Sequence, residues 1–493
     1  MSDNFKVKEF HNEDLGILSY IVISDSEAAI IDPERNPQPY VSYIESRGLT
    51  VKWVILTSAH PDYVGSHAYL AETFSVPLVV SSASKFAGAC RRVENGEAEL
   101  LGKVKIFFHP LRASSLDNLV LEIRDDDATK AVFSGSALAR GGVCATSDRM
   151  DPVGSRRFLA AQAFRKFSSD AKIFFGRSAN SRRVISEIKG NISTVAEELI
   201  ENFALKGKGE AIDNNYYANK IMEFEESLFE EMDHIVKQNL SESTEPSEEI
   251  LLRPRPLDDT SFENYAKNSH TVVIDTRETK EFIRAHIKGS INLPLKNLAR
   301  LVPLFINVLV PILLVSPDHL LKPSVFKLAN SGYDDIRGYL ASELPMYLHK
   351  DPSTPEPSKL SQTSVPQPPT PKLLSLASFS FISPSDLKNL KGLFLDIRTK
   401  GAAEALKGAI RSTTLTVTRK GLPSQAKGRL FVFADLEVEA LNVCLLLKAK
   451  GIDAQAVKGG FEALKAEGFE VVNLEENVNN TEEPSSQSID GEL

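Results

Sequence analysis

The chain reads as an α/β protein built from three successive units. Three observations carry this reading. Residues 1–245 alternate short apolar runs with helical stretches. Two later segments, about 257–350 and 378–473, repeat one order of strand, glycine turn, strand and helix. A proline-rich stretch separates those two segments. At 493 residues the chain is too long for a single hydrophobic core, so about three domains are expected. With 42% hydrophobic and 25% charged residues, each unit has enough apolar surface to bury.

In the first unit, apolar runs predict strands at 17–23, 28–31, 51–56, 77–81, 104–108, 119–123 and 131–134. Helices are expected over 37–47, 66–74 and 156–167, and the span 191–235 looks largely helical. So many strands among helices fit two sheets packed between helical layers. The acidic stretch 241–249 and the Arg253-Pro254-Arg255-Pro256 run read as a linker. The apolar run 301–315 carries Pro303 and Pro311, is short for a membrane span, and reads as a buried strand with its approach loop. Residues 351–377, with seven prolines among Asp351 to Lys372, read as a semi-extended spacer. The acidic tail 474–493 has almost nothing to bury and reads as disordered.

The repeat in the later units is specific in its details. Val272-Val273-Ile274-Asp275-Thr276-Arg277 and Leu393-Phe394-Leu395-Asp396-Ile397-Arg398 each end an apolar strand in Asp-x-Arg. Glycine turns follow at Gly289 and Gly408, then second strands at 311–315 and 430–433, then helices running to Gly332 and Gly451. Such repetition predicts two small doubly wound α/β domains. The aspartates and arginines at this spacing are expected to pair with each other, and His286 reads as structural.

A net charge of −9 argues against nucleic acid or an anionic membrane as the main partner. Cys90, Cys144 and Cys444 are far apart with no CxxC pair, which points to a reducing compartment. The first residues show no apolar signal region, so a cytoplasmic location is expected.

The chemistry-bearing motif of the first unit is Thr57-Ser58-Ala59-His60-Pro61-Asp62-Tyr63-Val64-Gly65, just after the apolar run Trp53-Val54-Ile55-Leu56. Together with Ala29-Ile30-Ile31-Asp32-Pro33 and Phe133-Ser134-Gly135-Ser136, it resembles the persulfide dioxygenase branch of the metallo-β-lactamase fold. Residues 172–176 and Ser193-Thr194 fall where that branch has a late strand and a Ser-Thr turn. The later units resemble rhodanese domains, through Asp-x-Arg, His286-Ile287-Lys288-Gly289 leading to Asn292 and Pro294, and Lys458-Gly459-Gly460-Phe461. The resemblance implies an N-terminal αββα sandwich at 1–245, rhodanese-like domains at 257–350 and 378–473, and the 351–377 linker between them.

The resemblance also implies what is missing. The branch holds one iron with two His and one Asp. The first His falls on Ser58, the second on Arg112 in the His109-Pro110-Leu111-Arg112 turn, and the Asp on Ser136. A later Gly-His turn falls on Gly176-Arg177. A serine hydroxyl is a poor ligand at neutral pH, and an arginine is a permanent cation. His60 and Asp62 remain, but two groups hold a divalent ion weakly. They read as hydrogen-bonded partners shaping the loop, or as a site completed by His109 if the turn is re-registered. His67 reads as a surface or packing residue.

Sulfur transfer needs a cysteine at the end of the second rhodanese strand, whose thiolate the following backbone N–H groups stabilise. Those places are Ser316 and Ala434, with Asp318 and Asp435 adding negative charge where an anion would dock. Cys444 reads as a packing residue. Cys90, before Arg91-Arg92, reads as incidental, and Cys144, in a loop open to exposure, has no partner His or base; under the enzyme alternative either would be the nucleophile.

The expectation is a catalytically degenerate member of the persulfide dioxygenase–rhodanese fusion family without a bound cofactor. It would bind or scaffold through a candidate pocket of Ser58, His60, Asp62, Arg112, Ser136 and Arg177. Arg140, Arg149, Arg156, Arg157 and Arg177 read as a solvated face or, with Arg112, as a basic rim that binds an anion. The occupant is either a small thiol or sulfur anion, or a protein such as an active homologue. The alternative is a metal-dependent persulfide dioxygenase or hydrolase that uses non-standard ligands.

Overall fold

The computed structural model describes residues 4–145, 160–181, 183–186, 188–205, 229–242, 247–267, 270–341, 376–398, 402 and 404–474. They divide into two compact units: the described residues within Met1–Glu278 and Leu293–Leu344, and those within Thr279–Asn292 and Ser375–Leu493.

The first unit opens with two six-stranded sheets. One contains β1 (Lys6–Asn12), β2 (Ile17–Ser24), β3 (Glu27–Ile31), β4 (Thr50–Ile55), β5 (Leu78–Ser81) and β6 (Arg91–Val93), in that order. The chain continues through β7 (Ala98–Leu101), β8 (Val104–Leu111), β9 (Asn118–Asp125), β10 (Ala128–Gly135), β11 (Val143–Cys144), β12 (Lys172–Phe175), β13 (Val184–Ile185) and β14 (Ile192–Thr194). Of these, β14, β12, β10, β9, β8 and β7 make the second sheet, in that order, while β11 and β13 pair separately.

Strand alternation builds the layers. Ala29, Ile31, Trp53 and Ile55 join the cluster that also holds Phe108, Leu121, Phe133 and Phe175 of the second sheet. Their neighbours Ala28, Ile30, Val54 and Leu56 point the other way, onto Tyr40 and Ile44 of the helix Gln38–Ser46 and Leu70 of the helix His67–Thr73.

Four parallel strands follow in the same unit, in the order Arg255–Leu257, Ile336–Leu340, Ile312–Val315, Val272–Asp275. The second unit holds another parallel set, Ile410–Arg411, Leu393–Asp396, Leu430–Phe433 and Ala454–Ala456. It also holds two short antiparallel ladders, His286–Ile287 with Leu376–Ala377 and Glu404–Leu406 with Val471–Asn473. Runs such as Ile312–Val315 and Leu430–Phe433 are buried throughout, as parallel strands covered on both faces must be.

Several elements differ from expectation. Residues 192–194 are strand β14, paired with β12, and only then does Thr194 cap the helix Val195–Glu201 through a reciprocal bond with Glu197. Helix resumes at Phe229–Asn239, and 206–228 lie outside the described residues. The expected helix 156–167 is seen only from 160 and ends as the tight turn Ala163–Lys166.

The stretch taken as a linker contains the helical turn Ser247–Ile250, because Ile250 buries completely. It also contains the strand Arg255–Leu257, whose edge position tolerates Pro256. The run 301–315 begins in the helix Leu298–Phe305, with Pro303 inside it, and only its end is a strand. An apolar run with every face buried shows no period to separate the two. Strand β1, half polar and at a sheet edge, was not anticipated. The spacer 351–377 is described only at Leu376–Ala377, which is a strand, and the tail only at residue 474. Among the described residues, no helix is long and apolar enough to cross a membrane.

Candidate functional site

The motif loop leaves β4 and runs between the two sheets. Asp32 follows β3 in the left-handed region (φ 52°), which aspartate tolerates better than most residues. Its carboxylate accepts hydrogen bonds from the Thr57 N–H (2.7 Å) and the Thr57 hydroxyl (2.5 Å). Gly135, at the end of β10 with φ 53°, lies against Thr57, and a Cβ there would collide with that side chain. Thus Ser58 and Ser136 are brought together, Oγ to Oγ at 3.3 Å.

Ser136 Oγ also accepts from the Ser114 hydroxyl (2.9 Å) and the Asn118 amide (3.0 Å). Ser58 Oγ lies 3.2 Å from His60 Nδ1. On the other side of the ring, His60 Nε2 is 3.0 Å from Asp32 Oδ1, but the carboxylate lies off the ring N–H axis, so the contact is close without being a directed hydrogen bond.

Arg177 sits at the centre of this cluster and is 0% exposed. It follows β12, and Gly176 reaches β10 through its N–H to Gly135 O (2.9 Å). The guanidinium forks onto Asp62, Nε to Oδ2 at 2.8 Å and Nη2 to Oδ1 at 2.6 Å. Nη2 also donates to His60 Nδ1 (3.1 Å), and Nη1 to Gly176 O (2.7 Å). Since arginine has only donors, Nδ1 is an acceptor and the His60 proton sits on Nε2, facing Asp32. The Tyr63 ring stacks on His60, with centroids 4.8 Å apart, and lies 5.2 Å from the guanidinium carbon.

Burial opposes charge on Asp62, but Arg177 and the nearby Arg183 outweigh it and hold the carboxyl well below its ordinary range. Burial likewise opposes charge on Arg177, and Asp62 reverses the effect and raises it. For Asp32, burial is outweighed by the Nε2–H edge of His60 facing it and by the two Thr57 bonds, and its pKa is lowered.

The loop is held from outside by Asn239, the last residue of its helix. Its amide donates to His60 O (2.7 Å) and Tyr63 O (2.8 Å) and accepts from Gly65 N–H (2.8 Å). On the next turn, Val64 N–H donates to Asn330 O (3.0 Å), and Tyr63 packs with Leu15, Ile17 and Ala299.

The structure therefore brings together five of the six candidate residues: Ser58, His60, Asp62, Ser136 and Arg177. Arg112 is not among them: it is exposed, and the side chain that reaches Ser136 from that turn is Ser114, two residues on. His109 is not re-registered toward the loop. It lies in β8, with Nε2 2.9 Å from Glu122 and Nδ1 3.2 Å from both Asn95 and Lys166.

Among the described residues no basic rim forms near the site. Arg140 pairs with Glu198 and Glu201, Arg177 is buried, and Arg149, Arg156 and Arg157 lie outside the described residues. Sequence reasoning gave no role to Ser114, Asn118, Arg183 or Asn239. It noted Asp32 only as part of a motif.

In the parallel sheets, Arg277 forks onto Asp275 and Arg398 onto Asp396. Ser316 accepts from the Thr276 hydroxyl at 2.8 Å, and Ala434 is buried. The backbone near Ala434 is already engaged by a carboxylate, with Gly459 N–H donating to Glu437 at 2.6 Å. Cys144 is fully buried in β11, contrary to the exposed loop expected, and Cys444 is fully buried too, its thiol pushed up by burial. Arg91 and Arg92, next to Cys90, are engaged by Glu97 and Glu99 and by the carbonyls of Ser84 and Phe86.

Among the described residues, no three His, Cys, Asp or Glu side chains are grouped so as to hold a metal ion. Residues 13–143 match the metallo-β-lactamase superfamily. A metallo-β-lactamase structure from Staphylococcus aureus subsp. aureus COL superposes with TM-score 0.58 at 21% identity, covering 69% of this chain and 99% of that one. ETHE1 from Myxococcus xanthus gives TM-score 0.39 at 16% identity, covering 48% and 98%. No curated protein matches the chain. At these identities the likeness is one of fold, and together with the family match it makes the N-terminal part of the chain a metallo-β-lactamase superfamily domain.

Proposed function

We propose that the chain is a catalytically degenerate relative of the persulfide dioxygenase–rhodanese fusion proteins, acting in the cytoplasm as a binding or scaffolding protein linked to persulfide metabolism. The observation that carries this reading is the Arg177 fork on Asp62, with its third contact on His60 Nδ1.

The donor set does not fit a divalent ion. Both Asp62 oxygens and the His60 lone pair are already taken by a cation, and a metal in their midst would face it directly. The remaining groups, Ser58, Ser114, Ser136 and Asn118, are neutral and satisfy one another. These four offer no anionic or imidazole ligand of the kind iron prefers, and the Asp32 carboxylate beside them is taken up by the two Thr57 donors. In the proposed rhodanese-like domains, the serine at 316 and the alanine at 434 supply no thiolate.

A scaffold of this kind works through its surface. The favoured occupant is a protein partner, such as an active homologue, because the polar groups that a small sulfur anion would need are buried and mutually bonded.

The test is metal content by inductively coupled plasma mass spectrometry on protein from iron-supplemented growth, with sulfite production from glutathione persulfide measured alongside. The expected outcome is substoichiometric metal and no sulfite above background. Near-stoichiometric iron with sulfite production that His60→Ala abolishes would overturn the reading in favour of a metal-dependent dioxygenase.

A further inference from the structure

We infer that the guanidinium of Arg177 is the resident cation of this site, an internal group that does the structural work a bound ion would otherwise do. The inference rests on the degenerate reading above and deepens it. One side chain ties the loop after β4, through Asp62 and His60, to the segment that follows β12. There the preceding carbonyl, Gly176 O, takes a further donor, and the Arg177 backbone is bridged to Ile17 at the start of β2.

A fully buried cation is tolerated only when paired and hydrogen-bonded, and here four donations from the guanidinium end on protein acceptors. The planar fork matters. A lysine ammonium could reach Asp62 but could not present parallel N–H groups to both carboxylate oxygens while also holding His60 and Gly176 O. The chemical class the site takes is thus a guanidinium, and the cavity left by truncating Arg177 should accept a free one.

The experiment uses the full-length chain and thermal unfolding of Arg177→Met, Asp62→Asn and the double variant. Arg177→Met leaves Asp62 only the more distant Arg183 at 3.8 Å, and Asp62→Asn leaves the buried Arg177 without a carboxylate, so each single change is expected to lower Tm by about 10 °C. The double variant removes both charges and should recover more than half of that loss. Separately, Arg177→Ala should gain Tm on adding millimolar guanidinium chloride relative to sodium chloride, whereas the wild-type chain should not. A double variant whose loss is the sum of the singles, or an Arg177→Ala chain indifferent to guanidinium, overturns the inference even if the protein is free of metal. Stoichiometric metal in the wild-type chain overturns both readings. Should the Arg177 variants yield no soluble protein, Asp62→Asn decides, and a Tm within about 2 °C of wild type overturns the inference.

Discussion

Asn239→Asp is a sharp perturbation of the site loop, because it alters chemistry at nearly constant shape. The asparagine amide donates to His60 O and Tyr63 O and accepts from Gly65 N–H. Aspartate keeps the acceptor for Gly65 but loses both donors and turns a carboxylate oxygen toward two buried carbonyls. Each lost bond leaves a buried acceptor unsatisfied, at about 1–3 kcal/mol apiece. The two together are expected to cost about 4 kcal/mol. Denaturant unfolding of the first unit reads the total, and hydrogen exchange reads its location. The amides of 60–65 should exchange faster, while those of the β8–β9 ladder should change only as global stability does. A cost below about 1 kcal/mol, or exchange that rises uniformly, would show that the clamp does not hold the loop and would refute the reasoning.

Further outcomes follow from the same geometry. His67 is fully buried, donates from Nε2 to Asn239 O (2.9 Å), and is pushed down to about 4, chiefly by burial. Since its folded value lies below the unfolded one, its contribution is complete above about pH 6.5 and is lost as pH falls toward 4, with a full swing of about 3 kcal/mol. His67→Gln should flatten that limb of a stability–pH profile. Glu34 behaves oppositely: burial raises it to about 7, so its contribution is lost as pH rises from about 4.5 to 7, and Glu34→Gln should remove that slope. Arg35 forks onto Asp334 (2.6 and 2.9 Å) and also donates to Ala329 O. A double-mutant cycle with Arg35→Met and Asp334→Asn should give a coupling of about 2 kcal/mol, and a value near zero would show that the pair contributes nothing. Gly135→Ala should destabilise, because it strains a positive φ and strikes Thr57, with loss of soluble protein or lower Tm as the readout.

Most core strands of the first unit were legible because each alternates faces or buries both, and the later Asp-x-Arg pairs because the two residues are near neighbours in sequence. Polar edges such as Lys6–Asn12, and buried helices such as Leu298–Phe305, were not legible. Neither has a hydrophobic period that distinguishes it from its alternatives. Within the site, sequence reasoning located Ser58, His60 and Asp62 well, because a motif reports covalent neighbours. It placed the contribution of the β8–β9 turn two residues early, at Arg112 rather than Ser114, because turn register depends on strand pairing that is not local. Asn239 acts from 174 residues beyond Gly65, and no pattern near it announces the role.

The retained Asp62 is itself a signal of the cation beside it. A buried aspartate cannot stay ionised alone, so a chain that keeps Asp62 while replacing its expected neighbours by serines must supply a cation from somewhere. The glycine at 176 lets the following residue approach the β10 end closely, since even a Cβ at that position would fall 2.7 Å from the Gly135 backbone. Arg177 reads from the sequence as one member of the candidate pocket, and a retained Asp62 between the sheets calls for a cationic partner beside it. The same test applies at any degenerate metal site: the surviving acidic ligand shows whether the lost charge was removed or replaced. Here two aspartates persist, Asp32 shielded by Thr57 and His60, and Asp62 by Arg177, so the charge was replaced.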